Sequence, residues 1–236
     1  IKVPSFNTEL LKNIGDEDVS IESSPLKIDN TVYIANSGGR IIGMDVSRVL
    51  EGLAPIVFDF WTGDDTDATL VTDNRGYIYA ASERERINKR SDEVGQIMKL
   101  DPRNTANPLV WGVPVLPKQK GIDGGVWATP AIHNGKLYVP TNPGDLLVID
   151  TDTGTILQTI SIGVHAWSSP NIVDEKLILT TCEGYIKVFS IGEALSLDTE
   201  MQLPSKACIE STPLIWNGGI YFGARDGFIY KVGEKE

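Results

Sequence analysis

Thr129-Pro130-Ala131-Ile132-His133-Asn134-Gly135-Lys136-Leu137-Tyr138-Val139-Pro140 reads as a strand, a tight turn and a second strand. Pro130 stands where a strand opens, a position that tolerates a residue without an N–H. Asn134-Gly135 supplies the positive-φ residues that a short hairpin needs. Leu137, Tyr138 and Val139 are residues that fit a pleated, half-buried surface. Pro143-Gly144 then makes a second turn, residues 145–150 a third strand and residues 155–161 a fourth.

The same grammar recurs along the chain. Ser24-Pro25-Leu26-Lys27-Ile28-Asp29, Ser169-Pro170-Asn171-Ile172-Val173-Asp174 and Thr212-Pro213-Leu214-Ile215-Trp216-Asn217 repeat the opening strand, and Thr69-Leu70 is a degenerate version. The anchors fall at 25, 70, 130, 170 and 213, at steps of 45, 60, 40 and 43 residues. Third strands are predicted at 40–46, 96–101, 145–150, 185–191 and 228–232, and weaker fourth strands at 55–61, 108–114 and 155–161. No helical period is visible, and residues 47–54 have room for one turn at most. Short strands at this spacing predict an all-β radial repeat: a five-bladed β-propeller of four-stranded antiparallel blades in a single domain, 1–236. The blades are expected at 20–61, 66–114, 126–161, 166–207 and 209–236, the last closed by an N-terminal strand within 1–10. A piece of a longer propeller would show the same lone N-terminal strand, so both readings stand.

Composition narrows the function classes. The chain has 236 residues, 41% of them hydrophobic, and a net charge of −11. An acidic surface repels nucleic acid and anionic lipid, which excludes both as general partners. No apolar run approaches the roughly 20 residues that cross a bilayer, so no direct membrane insertion is expected. The chain opens at Ile1-Lys2-Val3-Pro4, which fits either a removed leader or a piece of something larger.

Two stretches carry a family resemblance. Residues 146–157, Leu-Leu-Val-Ile-Asp-Thr-Asp-Thr-Gly-Thr-Ile-Leu, run a strand ending in Asp through a Thr-Gly turn into the outer strand. Trp167-Ser168-Ser169-Pro170 leads into an Ile-Val-Asp turn. Both resemble the pyrroloquinoline-quinone-like (PQQ-like) repeat found in quinoproteins and in the bacterial outer-membrane-assembly lipoprotein. The resemblance implies a propeller, usually of seven or eight blades, and leaves function open, because the family spans enzymes, assembly subunits and sensors. Quinoprotein catalysis would need a vicinal cysteine pair and a Glu/Asn/Asp calcium set, neither of which the sequence shows. Tryptophan stands in outer strands only at Trp61 and Trp111. No PQQ is therefore expected, and no cofactor is predicted.

The repeat register places one residue three before each anchor, where the innermost strand begins: Glu22, Asp67, Trp127, Trp167 and Glu210. In a closed ring these form an axial mouth of three acids facing two tryptophans. Glu22, Asp67 and Glu210 would suit a hard cation such as calcium, and the tryptophans a cationic or sugar-like ligand. In the plainer reading the acids face solvent and the rings pack between blades. The long insertion of the second repeat carries Arg84, Arg86, Lys89 and Arg90, either an interaction loop folded over that mouth or a solvated charged loop. Cys182 and Cys208 end one inner strand and precede the next, so they form a disulfide or remain two small buried thiols. His133 and His165 lack metal-site spacing. Tyr33, Tyr138 and Tyr221 share one second-strand position, which reads as core between blades. The function these features favour is a non-catalytic binding or scaffolding propeller with protein partners. Its expected setting is prokaryotic and extracytoplasmic: periplasmic, secreted or on the cell surface. The alternatives are a degenerate quinoprotein or metal-dependent enzyme using the acidic mouth, and a sensor domain of a longer chain.

Overall fold

The computed structural model describes residues 19–163 and 165–233. Two compact units divide the chain: Ile1–Leu116 with Asp123–Trp127, and Pro117–Ile122 with Ala128–Glu236.

In the first unit, β1 (Leu26–Ile28), β2 (Thr31–Ala35), β3 (Arg40–Asp45) and β4 (Ile56–Trp61) form a four-stranded antiparallel sheet in chain order. A second sheet follows from β5 (Val71–Thr72), β6 (Ile78–Ala81), β8 (Ile97–Leu100) and β9 (Leu109–Val113). Between β6 and β8 lie β7 (Glu83–Arg84) and a helix, α1 (Lys89–Val94), and β7 pairs with β10 (Gly124–Gly125) as a two-stranded ribbon.

In the second unit, β11 (Ala131–His133), β12 (Lys136–Pro140), β13 (Asp145–Asp150) and β14 (Ile156–Ser161) make a third four-stranded sheet. A fourth comprises β15 (Asn171–Val173), β16 (Lys176–Thr180), β17 (Tyr185–Ser190) and β18 (Ser196–Gln202). A three-stranded sheet ends the described chain: β19 (Leu214–Trp216), β20 (Gly219–Gly223) and β21 (Ile229–Gly233). The N-terminal closing strand expected within 1–10 lies outside the described residues.

The turns follow their residues. Asp29, Asn134, Asp174 and Asn217 all take positive φ between first and second strands, a conformation that Asn and Asp tolerate better than most residues. The middle strands β6, β8, β12 and β13 are buried on both faces because sheets share cores. Tyr33, Phe58 and Phe60 of the first sheet pack in one cluster with Ile78, Met98 and Leu100 of the second. Tyr138, Leu146 and Val148 do so with Leu177, Leu179 and Phe189. Outer strands are exposed along most of their length, as β14 and β18 show, which is why their apolar signal is weak in the sequence.

One expectation needs correction. The second-repeat insertion contains helix α1, where the sequence shows no helical period. Six residues are too few to display one. The helix is set by its ends: the Asn88 side chain accepts the Ser91 N–H at 3.0 Å, and Gly95 closes it at φ 75°.

Candidate functional site

One junction recurs at the end of each repeat where the second strand turns into the third. Its first partner lies five residues before each anchor: Ser20, Asp65, Gly125, His165 and Cys208. Its second lies two residues past the second strand: Ser37, Glu83, Asn142, Cys182 and Arg225. Within a repeat the second partner's N–H donates to the first partner's carbonyl: Ser37 to Ser20 at 3.0 Å, Glu83 to Asp65 at 2.8 Å and Arg225 to Cys208 at 2.9 Å. From one repeat to the next the side chains differ. Glu83 pairs across the ribbon with Gly125. His165 donates its N–H to the Asn142 carbonyl at 3.0 Å, and its Nδ1 lies 3.0 Å from Asn142 Oδ1. Cys182 and Cys208 are joined as a disulfide.

The second-repeat junction is the acidic one. Carboxylate oxygens of Asp65, Asp67 and Glu83 all lie within 4.8 Å of one another. Glu83 is only 2% exposed. Burial, the neighbouring Glu85 carboxyl and the charges of Asp67 and Asp65 push its carboxyl up to about 11. Asp65 is pushed up to about 7 by burial and by Asp67, against the pull of Arg86. Asp67 is raised by burial and by Glu22. Asp64, fully buried, is raised by burial although it accepts the backbone N–H groups of Asp65 and Arg86. These shifts share one cause: ionised carboxylates have been taken from water and set beside each other.

The insertion is fastened to this loop. Asn88 Nδ2 donates to the Gly63 carbonyl. Gly63 has φ 99°, and a Cβ there would stand 2.4 Å from Ser91 N, so the crossing requires glycine. Arg86 donates from Nη1 to the Ser37 carbonyl at 2.5 Å and reaches Asp65 Oδ2 at 3.4 Å. The other insertion cations are engaged elsewhere. Arg84 pairs with Asp92 at 2.9 Å and Lys89 with Glu93 at 3.4 Å. Arg90 donates to the Trp61 carbonyl at 3.0 Å and lies over the Phe60 ring. Of the four basic residues singled out by sequence, Arg86 is the one these contacts place against the acids.

The corresponding corners of the second unit are paired one to one. Trp167 Nε1 donates to Asn142 Oδ1 at 2.9 Å. Glu210 pairs with Arg225 at 2.6 Å, and Arg225 lies over the Trp167 ring at 5.7 Å. Lys118 pairs with Asp145. Glu210 also lies near the two cysteine sulfurs, but sulfurs joined in a disulfide offer no thiolate to a metal. Of the five register residues, Glu22, Asp67 and Trp127 belong to the first unit, and Trp167 and Glu210 to the second. Glu22 lies close enough to raise Asp67, and Asp67 shares its cluster with Asp65 and Glu83. Sequence reasoning passed over Asp65 and Glu83. The signal for Asp65 was the run Asp64-Asp65-Thr66-Asp67, and Glu83 needed the junction register, two past the end of β6.

No family model and no curated protein matches the chain. Solved structures do, 825 chains in all, and they show the fold alone. BamB from Moraxella catarrhalis is similar over 92% of this chain and 70% of its own, at 14% identity and a TM-score of 0.52. The computationally designed Ika8 protein is similar over 90% and 70%, at 12% identity and 0.51. The fold is thus all-β and propeller-like, with several four-stranded antiparallel sheets. No helix among the described residues is long and apolar enough to cross a membrane.

Proposed function

We propose that the chain is a non-catalytic scaffolding propeller, its five repeats serving as five blades, exported or displayed at the cell surface as a protein-interaction subunit. The observation that carries this reading is the face of the fifth sheet. The first residue of the third strand's buried core is Ile41, Ile97, Leu146 and Ile186 in the other four repeats, each between 0% and 3% exposed. Its equivalent here, Ile229, is 85% exposed, and Leu214 and Trp216 are 59% and 62% exposed. An apolar position that the other four repeats bury, exposed among the described residues in this one beside Leu214 and Trp216, is the kind of surface that marks a protein interaction. The disulfide supports an oxidising, extracytoplasmic setting.

A photo-crosslinker at Trp216 in the exported protein in its native host tests this. The expected product is a stoichiometric complex with a different polypeptide, lost when Ile229→Asp is added to an otherwise folded chain. Crosslinks confined to this chain, or turnover of an alcohol or sugar with added quinone, would overturn the reading.

A further inference from the structure

We propose that Asp65, Asp67 and Glu83 hold a hard divalent cation, calcium by preference, where the 64–67 loop meets β7. Three observations converge on this. The first is spacing: oxygens within 4.8 Å of one another fit around one calcium, whose opposed ligands stand about 4.6–5.2 Å apart. The second is an orphan. Glu83 is 2% exposed, its carboxylate sits in the cluster, and Oε2 has no hydrogen-bond partner. A buried carboxyl oxygen without a partner is costly, and a bound cation would both satisfy it and stabilise the ionised form that burial disfavours. The third is constraint. The Glu83 N–H is bonded to the Asp65 carbonyl and its backbone is bridged to Gly125. Gly125, at φ 90°, presses so close that a Cβ would stand 2.5 Å from Glu83 C. The Glu83 main chain is therefore fixed against the 64–67 loop that carries the other two carboxyls.

The charge around the cluster agrees. Glu85 and Glu22 act on the same groups, and the cation set against them among the described residues is Arg86, 3.4 Å from Asp65. Among the described residues one guanidinium thus faces three clustered carboxyl groups. Calcium suits the site better than magnesium, because ligands from two separate segments give an irregular shell that calcium tolerates. The ion's role is to pin the start of the insertion to the 64–67 loop. The site stands independently of any partner at the fifth sheet, so the two ideas fail separately.

The test uses the full chain after chelation and desalting, titrated with calcium chloride and with magnesium chloride in a calorimeter. The expected result is one calcium per chain with Kd of about 10⁻⁶–10⁻⁴ M, and weaker magnesium binding. At a hundredfold excess over Kd the melting temperature rises by about 5–10 °C, and cleavage within residues 83–94 by a protease slows. Glu83→Gln keeps shape and removes charge, and weakens calcium binding about tenfold or more. Asp67→Asn provides a second variant, and Glu210→Gln leaves the affinity unchanged. No heat and no thermal shift at millimolar calcium, or equal loss in Glu210→Gln, overturns the assignment.

Discussion

The junctions that open the second and fifth repeats share a backbone and differ in chemistry. In both, an N–H two residues past the second strand donates to a carbonyl five residues before the anchor. At the second repeat that frame carries Asp65, half-buried, and Glu83, buried, acids whose pKa values are both driven upward. At the fifth it carries Cys208 and Arg225, with Cys208 in a disulfide and Arg225 on Glu210. The backbone thus fixes where two side chains meet and leaves open what joins them. Charge balance then separates the two places. Glu210 has a cation at 2.6 Å in a solvated setting, whereas Glu83 has other carboxyls.

The hardest blow to the acidic junction is Gly125→Ala. The added Cβ would stand 2.5 Å from backbone atoms of Glu83 and Arg84, at a φ of 90°. It should cost about 3–4 kcal/mol, read as a lower urea midpoint. Gly218→Ala, also at positive φ but with open space around it, should cost only about 1 kcal/mol. Equal losses would show that conformation and not the close approach matters.

Reduction of the disulfide, or Cys182→Ser with Cys208→Ser, is next. The bridge closes a loop of 26 residues, and its removal should lower stability by about 3 kcal/mol. The measurement is unfolding with and without reductant; an unchanged midpoint would mean that the frame needs no covalent link there.

The two arginines give the smallest contrast and the sharpest one. Arg86 is 16% exposed on its side chain and serves Ser37 and Asp65, whereas Arg225 is 65% exposed. Arg86→Met should cost about 2–3 kcal/mol because it removes the cation beside half-buried Asp65 and fully buried Asp64. Arg225→Met should cost under about 0.5 kcal/mol, as exposed ion pairs do. Similar costs for both would remove the distinction between the junctions.

Most of the fold was legible because it is written locally. The turn pairs Asn134-Gly135 and Asn217-Gly218 need only their own φ angles, and inner strands such as Ile78–Ala81 are apolar throughout because both faces are covered. Helix α1 was hidden by its length. The register three before each anchor found Glu22 and Asp67, which do meet electrostatically. It missed Glu83, whose place depends on pairing with Gly125 far along the chain, and no local pattern announces that. Asp65 lies two residues before Asp67 in a loop, outside the register position that singles out Asp67.

The junctions of the second unit, unlike the one at Glu83, tie together residues that are near in sequence. Asn142 and His165 are 23 apart and the two cysteines 26 apart. Loops this short close at small entropic cost, so each seam can form as soon as its two repeats exist. Folding of such a chain is then a succession of local closures, and a damaged seam is felt mainly by its two neighbours. Amide exchange should accordingly report the seams as separate steps of opening, not one.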